Sequence, residues 1–203
     1  GAFEVNNFTS PAFVARVNYH GVKGLRVGAS FYYNQTAKNG TKPWRNTGYK
    51  FPVTIVTGDL QYKGFNNNLI VRGNAVYGNL GASGALTTIN NSSSAASGYP
   101  NTTVAQNAVS YGGEAGYNIG SFFHSKAPRI YPFIRYEYYN PMEKTEANTG
   151  LLADKRFQVS AVTAGLNYYA LPNLVIKADY THRSIGGGKY NDENLVSVGI
   201  AYI

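Results

Sequence analysis

The 203-residue chain contains no cysteine, which removes disulfide staples, thiol catalysis and cysteine-ligated zinc together. It has no run of about 20 apolar residues, so no transmembrane helix is encoded. Charge is scarce. Asp, Glu, Lys and Arg make up 14% of the residues, against roughly 25% in ordinary soluble domains. Acids are scarcer than bases, 10 against 18, leaving a net charge of +8. The bases are scattered singly, with no run and no basic helix, which speaks against nucleic acid as a partner. The opening "GAFEVNNF" lacks the basic segment and apolar run of a secretory signal. The expectation is that a signal has been removed or that the sequence starts inside a longer protein.

What the chain has instead is tyrosine, glycine and alternation. Of 29 aromatic residues 18 are Tyr, and there are 23 Gly. Helical periodicity is missing, while two-residue alternation of apolar and polar residues is nearly everywhere, the signature of half-buried strands. It predicts an all-β single domain with strands at 12–20, 25–36, 52–63, 68–80, 109–120, 129–140, 156–170, 174–184 and 194–203. The connections "HGVKG", "KGFNN", "GSFFHSKAP" and "ALPN" are short; those at 37–51, 81–108, 141–155 and 185–193 are longer and polar. Short and long alternate strictly, as in an up-and-down meander.

Taking the apolar parity of each strand gives Phe13–Tyr19, Leu25–Tyr33, Val56–Tyr62, Leu69–Tyr77, Val109–Ile119, Ile130–Tyr138, Val162–Tyr168, Leu174–Tyr180 and Val196–Tyr202 in steps of two. None of these 41 positions is charged, whereas about six would be at the chain's average content. The opposite parity carries Arg16, Arg26, Asp59, Lys63, Arg72, Glu114, Arg135, Glu137, Lys177, Asp179 and Arg183. In 156–170 the apolar parity changes between Ala161 and Val162, which predicts a β-bulge there.

Tyrosine marks both ends of the apolar face. Tyr19, Tyr62, Tyr117, Tyr168 and Tyr202 stand near the short-turn ends, and Tyr33, Tyr77, Tyr138 and Tyr180 near the long-loop ends. Two such rows fit a double aromatic girdle, rings in hydrocarbon and hydroxyls in headgroups. A transmembrane antiparallel β-barrel of the bacterial outer membrane is the expectation, with its apolar face toward membrane lipid and lipopolysaccharide and its polar face lining a wet lumen. Short turns would be periplasmic and long loops extracellular. The last strand then runs toward the periplasm, and so does the first of the nine, which predicts further strands upstream.

The segments "FVARVNYHGVKGLRVGASFYY", "YPFIRYEYYNP" and "TAGLNYYALPNLVIKADY" resemble the C-terminal half of outer-membrane porins of the phosphate-selective type. The penultimate hairpin of that family carries a G-x-N-Y/W-Y…P-N…K-x-x-Y run, matched by Gly165, Asn167, Tyr168, Tyr169, Pro172, Asn173, Lys177 and Tyr180. The resemblance covers most strands and little of the long loops. It implies a barrel of roughly 16 to 18 strands, often assembled as a homotrimer. No dense Arg or Lys ladder is visible, so phosphate selectivity is not carried over.

The three histidines (His20, His124 and His182) share no hairpin end with an acid and a nucleophile, so no enzyme is expected. "GGGKY" at Gly186–Tyr190 lacks the phosphate-loop spacing. Neither a cofactor nor a metal site is indicated. The polar-face bases outnumber the acids, and the loop at 37–51 adds Lys38, Lys42, Arg45 and Lys50 without an acid. Excess positive charge along a wet pore favours anions. The function expected is passive diffusion of small hydrophilic solutes with a mild anion preference. The pore-lining set is Arg16, Arg26, Asp59, Arg72, Glu114, Arg135, Glu137, Lys177, Asp179 and Arg183. Alternatively, Asp59/Arg72 and Glu114/Arg135 merely pair across strands and stiffen the wall. The alternative function is a plugged barrel serving as a surface-binding or adhesion module. The uncharged loop 81–108 would fold into the lumen as a constriction or stay outside.

Overall fold

The computed structural model describes residues 11–35, 50–92, 103–123 and 128–202. They form one antiparallel sheet of nine strands in the order of the chain. The strands are β1 (Phe13–Tyr19), β2 (Leu25–Gln35), β3 (Pro52–Gly64), β4 (Leu69–Leu80), β5 (Asn107–Tyr117), β6 (Arg129–Lys144), β7 (Val159–Leu171), β8 (Leu174–Ile185) and β9 (Asp192–Tyr202). Among the described residues, β1 pairs only with β2 and β9 only with β8. No helix is long and apolar enough to cross a membrane, which says nothing about strands.

The registers bring the apolar parities of successive strands onto one continuous face. Val17 lies opposite Ala29, Phe31 opposite Val56, Tyr77 opposite Val109, Ile134 opposite Ala164, and Ala178 opposite Val198. A slip of one residue in any ladder would have put apolar side chains among charges.

The bulge expected at Ala161–Val162 is not there. β6 and β7 pair without interruption from Arg129–Tyr169 to Tyr139–Val159. Phe157 belongs to a 3-10 turn at Lys155–Phe157 that precedes the strand, so its parity carries no strand information. Val159 and Ala161 simply face the polar side. Register shifts fall instead between Asn107 and Val109 and between Tyr169 and Leu171. β5 starts earlier and β6 runs further than the alternation indicated, because their ends pair with each other beyond the apolar band.

A second correction concerns 81–108, which contains a helix, α1 (Ser83–Ser92). Its sequence has too few apolar residues to show a helical stripe. Local and distant partners hold it. The Thr87 and Thr88 hydroxyls donate to the carbonyls of Ser83 and Gly84, and the Glu146 carboxylate accepts the Gly84 N–H at 2.5 Å. A carboxylate at a helix N-terminus satisfies an orphan amide and complements the helix dipole. Thr87 also accepts from Val104 N–H. The helix is thereby tied to the β6–β7 connection and to the chain returning into β5, beyond the strand ends.

Candidate functional site

Burial is inverted relative to a soluble sheet. The apolar face is open: Ile134 is 58% exposed, Tyr77 47% and Val162 44%, all on strands with a neighbour on each side. The buried apolar residues of the strands, Tyr131, Val159 and Val175, have the opposite parity and sit on the charged face. Soluble monomers rarely expose contiguous apolar patches beyond a few hundred Å².

The tyrosines at the long-loop ends turn their hydroxyls toward polar side chains. Tyr180 donates to Asn194 Oδ1 at 2.7 Å and Tyr138 to Glu143 at 3.4 Å. Tyr77 accepts from the Asn107 amide at 2.6 Å and Tyr33 from Gln35 at 3.3 Å. At the other end, the Tyr19 ring lies over Gly21 and the Tyr62 ring over Gly64, each leaning along its strand toward the short turn. At both ends, then, these rings lean away from the middle of the apolar face.

All ten residues expected to line a pore share the other face, and two clusters gather six of them. Asp59 takes Arg16 at 2.7 Å and Arg26 at 3.7 Å. Glu114 takes Arg135 at 2.5 Å and Arg72 at 3.5 Å. Gly28 leaves room for the first cluster, since a Cβ there would collide with the Arg16 guanidinium and the Asp59 carboxylate. The expected Asp59/Arg72 pair does not form, because Asp59 lies opposite Asn74 while Arg72 lies opposite Gln61 and Glu114. Each cluster has two guanidiniums on one carboxylate and therefore keeps one positive charge.

Arg183 pairs with Glu193 at 3.0 Å and donates to Tyr139 at 3.3 Å. Among the described residues Glu137, Lys177 and Asp179 make no ion pair. Two further charged residues belong to this face and are absent from the expected set. Arg129, at the very start of β6, stacks on Tyr169 at 4.5 Å and donates to the Pro172 carbonyl. Glu193 lies opposite Arg183, just before the predicted strand start. Both have the parity of the charged face, which is the signal that could have found them. They add one charge of each sign, so the balance stays at +3 (eight bases, five acids).

Open hollows follow this face. One of about 450 Å³ is lined by Arg26, Asp59, Arg72, Glu114, Arg135 and Glu137 among others. A second of about 340 Å³ adjoins Glu137, Tyr139, Val159 and Arg183. A third, of about 300 Å³ at the short-turn end, holds His20, Lys23, Arg26 and Lys63 with no acid. Guanidiniums, carboxylates and amides along such hollows can exchange hydrogen bonds with water and small polar solutes. α1 contributes to none of these three.

The remaining candidates are dispersed. His182 lies on the apolar parity, its Nδ1 3.0 Å from Asn194 Oδ1, and His124 lies outside the described residues. So do Lys38, Lys42 and Arg45 of the basic loop, whereas Lys50 is exposed. In the β6–β7 connection, side-chain and then backbone N–H donors of Arg156 hold the Asp154 carboxyl below its usual range. No protein-family model matches the chain, and no curated protein matches it.

Proposed function

We propose that this sheet is part of the wall of a transmembrane β-barrel in the bacterial outer membrane, and that the barrel is a passive diffusion channel for small hydrophilic solutes with a mild preference for anions. One observation carries the reading: an uncharged, exposed face bounded at both ends by tyrosines backs onto a face of ion pairs and open hollows. In water the apolar face would be a large unpartnered surface. In a bilayer it is satisfied, and the charged face becomes the lumen. Tyr33 lies six residues along β2 from Val27, the partner of Tyr19. At about 3.3 Å per residue the two rows are roughly 20 Å apart, on the scale of the ~25 Å apolar band of outer-membrane barrels.

β1 and β9 run in the same direction, so an antiparallel barrel closes only through an odd number of further strands. Within this proposal the resemblance to phosphate-selective porins would set the total at roughly 16 to 18 strands. A homotrimer belongs to the same proposal.

The anion preference rests on the +3 balance of the charged face. Two of those charges sit on the Asp59 and Glu114 clusters, where each carboxylate is already shared. Planar-bilayer recording of the full-length protein tests the reading: stepwise conductance is expected, with a reversal potential on the anion side under a salt gradient. A folded, inserted protein that does not conduct would favour a plugged barrel acting as a surface-binding module.

A further inference from the structure

At the short-turn end, two neighbouring connections are locked into one platform. Asn118 N–H donates to the Asn68 carbonyl at 2.7 Å, and the Asn118 side-chain amide donates to Asn68 Oδ1 at 3.0 Å. The Asn118 Oδ1 accepts from Ile130 N–H at 3.0 Å, and the Tyr131 hydroxyl donates to the Asn67 carbonyl at 2.9 Å. Asn118 and Tyr131 are both 7% exposed. Buried, satisfied polar groups of this kind fix geometry.

This rigid base holds three phenylalanines in the open: Phe65 at 69%, Phe122 at 71% and Phe123 at 68% exposure. Phe65 has φ of +50°, and Asn66 and Asn67 follow at +57° and +65°. Left-handed backbone is tolerable for asparagine and unfavourable for a bulky aromatic residue. The chain therefore accepts both strain and exposure to present this ring, a combination that marks functional positions.

We propose that Phe65, Phe122 and Phe123 form an anchor that inserts into an anionic lipid headgroup layer at the short-turn side of the barrel. The proposal rests on the membrane-barrel reading. Two observations choose lipid as the occupant. The Phe122 ring stacks on Tyr117 at 5.4 Å, and Tyr117 belongs to the tyrosine row of the apolar face, so the patch continues the surface assigned to lipid. This end of the wall is also free of acids: no Asp or Glu occurs at 18–26, 61–70, 116–135 or 166–178, whereas the β1–β2 turn carries Lys23, and Lys63, Arg129 and Lys177 stand at the same end on the charged face. Exposed aromatics in an acid-free zone, with the unopposed Lys23 in the adjoining turn, complement an anionic interface.

The test uses tryptophan as a depth probe. In full-length protein with the native Trp44 replaced (Trp44→Phe), single variants Phe65→Trp, Phe122→Trp, Phe123→Trp and, in the middle of the apolar face, Ile134→Trp are folded into vesicles of lipids brominated at defined depths. The three turn probes should emit at blue-shifted wavelengths and lose emission to bromines near the headgroup. Ile134→Trp should lose most to bromines near the chain ends. Replacing phosphatidylcholine by phosphatidylglycerol should strengthen quenching at the turns alone. If Ile134→Trp is quenched while the turn probes keep water-like emission, the anchor is overturned and the barrel stands. If none is quenched, the membrane reading fails and the anchor with it. Turn quenching that ignores headgroup charge overturns the anionic assignment.

Discussion

Arg135 holds Glu114 through both Nε, at 2.9 Å, and Nη2, at 2.5 Å. A carboxylate so engaged is one that a passing anion would otherwise have to avoid, and Arg72 is drawn to its other oxygen. The cluster accounts for how a face with five acids can still present an excess of positive charge.

Selectivity should follow this arithmetic. Glu114→Gln frees two guanidiniums and raises the balance of the described wall from +3 to +4, so the reversal potential should move further toward the anion side, most visibly at low salt where screening is weak. Changing Arg16, Arg72, Arg135 and Lys177 to Glu takes the balance from +3 to −5 (four changes of two charges each) and should reverse its sign. A cation-preferring unmodified pore would remove the anion assignment and leave the barrel intact.

The two faces should answer differently to the same insertion. Ala178 lies between Leu166 and Val198 on the apolar face, and Asp179 between Gly165 and Ser197 on the charged one. Ala178→Arg should cost roughly 2–4 kcal/mol of barrel stability if it faces the bilayer midplane, and Asp179→Arg far less. Heat-resistant mobility of refolded protein on gels reads the difference; equal losses would refute the face assignment in β8.

Topology can be mapped cleanly because the chain has no cysteine of its own. An impermeant thiol reagent applied to intact cells should label Asn148→Cys, in the β6–β7 connection, and spare Lys23→Cys, in the β1–β2 turn. The reverse pattern would invert the orientation.

The 3-10 turn before β7 should loosen in acid. Donors from the Arg156 side chain, then its backbone N–H, lower the Asp154 carboxyl below its ordinary 3.8. A depressed folded-state value means that the stabilisation is fully present above the ordinary value and is lost as pH falls through the lowered one. Faster exchange of the Phe157 amide, which donates to the Asp154 carbonyl, should appear only there. Asp154→Asn should abolish that acid dependence.

The sequence by itself determined the nine strands, their meander order and the division into two faces. The reason is the two-residue period: each side chain's face follows from its position, so Leu174 to Tyr180 declare an uncharged face and Lys177 and Asp179 a charged one without any contact being known. The same rule misread 157–161, because Phe157 is not in a strand and parity means nothing outside one. Partner choice among charges was decided only by tertiary structure. Asp59 could reach Arg16, Arg26 or Arg72, and the cross-strand register with the gap at Gly28 settled it. α1 likewise depends on Glu146, 62 residues from Gly84, and the aromatic platform on Asn118 meeting Asn68, 50 residues away. Contacts at such separations leave no period in the sequence, because they are set by where the strands place their ends.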